Sequence, residues 1–121
     1  MTALLIFMGG GLGALLRYAT VLSMKASFPW AILLANGLGS FLIGGLAALP
    51  LLATRQHPLW FFFATGMLGG YTTFSTFSLD TLEMLLRGQV GMALLNAVGS
   101  VLLGLCAAAL GWKLVSACCA I

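Results

Sequence analysis

Thr65-Gly66-Met67-Leu68-Gly69-Gly70-Tyr71-Thr72-Thr73-Phe74-Ser75-Thr76-Phe77-Ser78 lies in the middle of an apolar segment. It is nevertheless built from residues that weaken helices. Gly66, Gly69 and Gly70 cost backbone entropy, and the threonines and serines offer the backbone competing hydrogen bonds. The stretch predicts a helix broken near 69–73. A break leaves backbone groups unpaired, which hydrocarbon tolerates only where the backbone is buried in protein or lines a polar cavity. The break therefore reads as a site. Phe74 and Phe77 are three apart and share a face, with Ser75 and Ser78 on a neighbouring one.

The surroundings are those of a membrane protein. The chain has 121 residues, 62% hydrophobic and only 6% charged. That is too apolar for a soluble domain of this size and fits one integral membrane domain over 1–121. The formal net charge of +3 rests on five thinly spread basic residues. It carries topology information and no nucleic-acid footprint. Cys106, Cys118 and Cys119 form no C-x-x-C pair and read as small residues of an apolar segment. The last four residues match the letters of a prenylation box only weakly. No basic region precedes the first apolar run, so a secretory signal peptide is not expected. No nucleophile–base pair or metal-ligand cluster supports an enzyme, and the lone His57 reads as a solvated loop residue.

Outward from the break, four transmembrane helices are expected at about 3–24, 30–53, 59–86 and 91–112. The third is longer than the roughly 20 residues of a straight span, which agrees with a break. In the first, Gly9, Gly11 and Ala14 match the letters of a dinucleotide loop, but no strand precedes them. Gly9 and Gly13 instead make a small-xxx-small pair that admits a neighbouring helix. Arg17 in the same segment needs a partner or a wet cavity, at a pore mouth, or else snorkels to the interface. Trp30 marks the interface. Asn36 lies well inside the second segment, as glue between helices or as a group in a polar path. Ala35/Gly39 and Ser40/Gly44 give this segment close-packing spots. Asp80 and Glu83 approach the far interface, with Glu83 and Arg87 at the favourable four-residue spacing. In the fourth segment Asn96 and Ser100 share a face, and Ser100/Gly104 and Ala107/Gly111 are again small pairs.

Four spans put both termini on one side. Arg55 and Lys113 then face Lys25 and Arg87, joined by Arg17 if it snorkels. This balance barely selects an orientation. An antiparallel homodimer resolves that, and it also supplies the walls that four short helices lack. Two breaks would meet at mid-membrane, where their free carbonyls suit a hard cation. The hydroxyls, the Asn36 amide and the positive ring edges suit a small anion.

At this point a family resemblance emerges. Gly69–Ser78, read Gly-Gly-Tyr-Thr-Thr-Phe-Ser-Thr-Phe-Ser, resembles the signature of the Fluc (CrcB) fluoride channels. Gly9–Tyr18 and Asn36–Gly44 look like that family's first two helices, and length and span number match. The resemblance implies an all-α integral membrane protein, an antiparallel dual-topology homodimer of four-helix subunits with a broken third helix. It implies passive export of fluoride across the bacterial inner (plasma) membrane, protecting the cell. It implies a structural Na+ at the dimer centre, held by the carbonyls of Gly69 and Thr72 of each copy. Phe74 and Phe77 would line the anion path, with Asn36, Ser75, Thr76 and Ser78 as polar lining and Arg17 at the mouth. Where the family can hold an aromatic hydroxyl on helix four, this chain has Asn96. The implied partners are fluoride, the lipid bilayer and a second copy, with no nucleic acid.

Two rivals share parts of this pattern. A small multidrug-type transporter has four short spans and dual topology, but it needs a membrane carboxylate in the first helix, and segment one has no acid. A structural subunit accounts for the small-xxx-small pairs but not for the hydroxyl-rich break.

Overall fold

The apolar runs form helices, and charged or proline-bearing stretches separate them. The computed structural model describes residues 1–26 and 28–119. Its helices are α1 (Thr2–Ser23), α2 (Trp30–Ala48), α3 (Pro58–Trp60), α4 (Gly69–Tyr71), α5 (Phe74–Leu86) and α6 (Val90–Cys119). A 3-10 turn, Pro50–Leu52, follows α2, and a π-helical stretch, Phe61–Leu68, joins α3 to α4. No strand occurs among the described residues. α1, α2 and α6 are each long and apolar enough to cross a membrane.

Two helix boundaries differ from expectation, each for a local chemical reason. α2 stops at Ala48, before the expected residue 53. Pro50 forces Leu49 into an extended conformation, φ −71° and ψ 124°, and removes the next N–H. α6 runs to Cys119, beyond the expected 112, over 30 residues. No glycine or proline follows Gly111, so nothing ends the helix, and Lys113 can reach outward on its stem. At ~1.5 Å per residue α6 is longer than a bilayer core is thick. Of the prenylation letters, Cys118 and Cys119 lie in α6, whereas residues 120 and 121 fall outside the described residues.

α2 packs mainly on α6, and α1 packs on the π-helical stretch and α4. The second contact explains the first glycine pair. A Cβ at Gly9 would strike the Phe62 carbonyl oxygen, and one at Gly13 the Met67 carbonyl oxygen. The π-helical stretch, which the sequence did not announce, brings those carbonyls against α1. Buried apolar clusters are small: Phe28, Met84 and Ala93 in one, Leu52, Trp60 and Ala64 in another. Large side chains such as Phe7 (78% exposed) and Leu105 (66%) point outward. Outward apolar surface on this scale demands hydrocarbon or another protein surface around it.

Candidate functional site at the helix break

The third segment opens at Thr72 and Thr73, inside the expected window, while residues 69–71 stay helical. Thr72 has φ −80° and ψ 157°, and Thr73 has φ −154° and ψ 121°. Both are extended. The Thr72 N–H still closes a helical turn on the Leu68 carbonyl at 2.9 Å. The Thr73 N–H does not continue the ladder onto Gly69. It is donated to Asn36 Oδ1 at 2.8 Å, and Asn36 Nδ2 donates to the Thr73 carbonyl at 3.1 Å. One side-chain amide thus serves both backbone groups of Thr73, as a neighbouring strand would.

Arg17 completes the set. Its Nη1 donates to the Thr72 carbonyl at 3.1 Å. Beside it, the hydroxyls of Thr20 and Tyr71 lie 3.3 Å apart. The three backbone groups freed at Thr72 and Thr73 therefore find partners on α1 and α2. This matters because an unpaired amide group away from water costs several kcal/mol, about 1–3 in protein mutational data. The Gly69 carbonyl, in contrast, has lost its helical donor and sits on an exposed residue. Gly39 lets α2 approach: a Cβ there would strike Thr72 Cγ2.

Thr73, which the sequence reading did not single out, restarts the helix. Its Oγ1 accepts the Thr76 N–H at 3.2 Å, the N-cap interaction of α5. The same oxygen lies 3.2 Å from Ser75 Oγ and donates to Thr76 Oγ1 at 3.2 Å. The available signal was a hydroxyl residue just before a new apolar run.

An open cleft of about 310 Å3 is lined by Asn36, Ser40, Gly69, Thr72, Thr73 and Phe74, among others. It brings Asn36, Gly69, Thr72 and Phe74 together. The Phe74 and Phe77 rings are neighbours, with centroids 5.7 Å apart and planes at 44°. Phe74 is 80% exposed. Ser75 is exposed, and Thr76, Phe77 and Ser78 are half-buried.

A hydroxyl has one proton to give, and counting protons separates these side chains. Ser78 spends its proton on the Phe74 carbonyl at 2.8 Å. Thr76 accepts from Thr73 and keeps its own proton free, and Asn36 keeps one of its two amide hydrogens. On α6, Asn96 is 2% exposed and donates to Thr81 Oγ1 at 2.9 Å. Ser100, one turn on, holds a buried hydroxyl with no partner among the described residues. Glu83 and Arg87 form the expected pair at 3.0 Å, well exposed.

Comparison with known proteins adds to this geometry. The family model described as "CrcB-like protein, Camphor Resistance (CrcB)" matches residues 4–112. A Thermus thermophilus protein named "Fluoride-specific ion channel FluC" is 49% identical over 115 residues, covering 92% of this chain and 91% of its own. Proteins of the same name are similar in Deinococcus radiodurans, 47% identical over 109 residues and 86% of each chain, and in Pyrococcus abyssi, 40% identical over 116 residues, 93% of this chain and 94% of the other.

Proposed function

The chain belongs to the CrcB family, and from that membership we propose that it is a fluoride-selective channel, passively exporting fluoride and so protecting the cell. It is a channel protein and not an enzyme. The observation that carries the reading is likeness along nearly its whole length to proteins named for fluoride conduction. The break supports it chemically. Fluoride holds its water strongly, so a path must supply hydrogen-bond donors in place of that water. It must do so without a charge that would trap the ion. Thr76 and Asn36 have free protons near the paired rings. Phe74 and Phe77 would present their positive edges to the ion. In this reading Ser75 and Ser78 complete the polar lining, Ser78 by turning its proton from the Phe74 carbonyl to the ion. Arg17 supplies positive potential at the mouth while its Nη1 holds the Thr72 carbonyl.

The working unit in this proposal is an antiparallel dual-topology homodimer, multi-pass in the plasma or inner membrane. The open cleft and the 80% exposed Phe74 are what a second copy would cover. A structural Na+ at its centre fits the oxygens present. The Gly69 carbonyl has lost its helical donor, and the Thr72 carbonyl has a second lone pair beyond the one facing Arg17. Two copies would offer four such oxygens, a donor set suited to a hard cation. Bound there, the ion would neutralise carbonyl dipoles and join the two breaks. The multidrug-type alternative is not favoured, because α1 contains no carboxylate.

The test is efflux from liposomes loaded with fluoride, followed with a fluoride electrode. Purified protein should release fluoride and retain chloride. Vesicles that keep their fluoride would end this reading.

A further inference from the structure

We propose that Asn96 is a positioning residue that sets the Phe77 ring through Thr81. The inference rests on Phe77 being a path residue. It begins with burial: Asn96 is 2% exposed on a largely apolar helix, and a buried amide without partners is costly. Its Nδ2 lies 2.9 Å from Thr81 Oγ1, and that hydroxyl lies 2.8 Å from the Phe77 carbonyl. The single Thr81 proton is spent on the carbonyl, so its oxygen accepts from Asn96. The result is a directed relay, amide N–H to hydroxyl to carbonyl, in which each bond polarises the next.

The two path rings are not treated alike. The Phe74 carbonyl also receives a hydroxyl, from Ser78 at 2.8 Å, but among the described residues Ser78 is tied to no other helix. Among the described residues, Asn96–Thr81 is the one side-chain hydrogen bond between α5 and α6. A hydroxyl bonded back to the carbonyl four residues earlier bends a helix locally. The allowed rotamers of a ring follow its backbone angles. Pinning Thr81 to α6 therefore fixes the bend at Phe77 and, with it, the direction of the ring edge. Phe74, 80% exposed, has no such relay onto its own carbonyl; Asn36 holds the preceding Thr73 instead.

The test places 4-fluorophenylalanine at position 77 or, separately, at 74 in the full-length protein and reads the 19F shift. Asn96→Leu and Thr81→Val should each move the 77 signal and leave the 74 signal in place. The double variant should move it no further than either single. Thr81→Ser, which keeps the hydroxyl, should restore the parental shift. Fluoride efflux should fall about fivefold to tenfold in Asn96→Leu and Thr81→Val, the scale of one hydrogen bond, and recover in Thr81→Ser. An unmoved 77 signal, or equal movement at 74, overturns the proposal. So does unchanged efflux beside a moved signal. If Asn96→Leu yields no intact protein, Thr81→Val decides. Parental protein that carries no fluoride would end the channel reading, while the 19F shifts would still decide the positioning.

Discussion

The side-chain amide of Asn36 pairs with both backbone groups of Thr73, accepting its N–H at 2.8 Å and donating to its carbonyl at 3.1 Å. Thirty-seven positions apart in the chain, the two make a hydrogen-bonded pair of the kind a sheet uses. Removing the amide leaves two groups unpaired, at about 1–3 kcal/mol each. Asn36→Ala should therefore lower the thermal midpoint of the purified protein and also slow fluoride efflux. A midpoint unchanged from the parent would show that other partners satisfy Thr73.

Arg17 holds the other side of the break through the Thr72 carbonyl. Arg17→Met keeps much of the side-chain length and removes the donor. Backbone amides of 73–76 should then exchange with deuterium about tenfold faster, equivalent to ~1.4 kcal/mol of local opening. Amides near Ala93, on α6, should keep parental rates. Uniform acceleration across the chain would indicate global destabilisation instead of a local clamp.

Gly13 and Gly11 are near neighbours on α1 with opposite surroundings. A Cβ at Gly13 strikes the Met67 carbonyl oxygen, whereas at Gly11 nothing lies within 4 Å. Gly13→Ala should destabilise by about 1–3 kcal/mol, since backbone must move to admit the methyl. Gly11→Ala should be neutral or stabilise by up to ~1 kcal/mol through helix propensity. Thermal unfolding of the two variants in the same detergent checks the pair. Equal behaviour would remove the close approach of α1 and the π-helical stretch.

The ring pair tests the path itself. Phe74→Ile and Phe77→Ile keep apolar bulk and remove the ring edges. Each should cut fluoride efflux strongly while the protein still elutes as an intact assembly. Parental efflux from both variants would make the rings packing residues only.

Sodium should stabilise the assembly through the Gly69 and Thr72 carbonyls. A site occupied at a hundred times its dissociation constant adds about 2.7 kcal/mol. The thermal midpoint should rise with sodium at constant ionic strength and stay flat with choline. Identical curves for the two salts would exclude the site.

Much of this molecule was legible in the sequence because the deciding signals are local. Apolar runs of membrane length predict helices whatever their neighbours. Glycines and hydroxyls crowded into 65–78 predict a break, because they weaken a helix one residue at a time. Gly9 and Gly13 announce a close neighbour by their spacing alone. Tertiary structure decided where the helix opens and what each polar group does there. The opening falls at Thr72–Thr73 because Asn36 and Arg17, 37 and 55 positions away, outcompete the helical partners of those backbone groups. No local propensity contains that information. The π-helical stretch likewise forms against α1, and the anchoring of Phe77 depends on Asn96 arriving from another helix. Sequence alone therefore determined that the third helix must break. Long-range hydrogen bonds, strong where water is excluded, determined which bond breaks and which side chains hold the two ends.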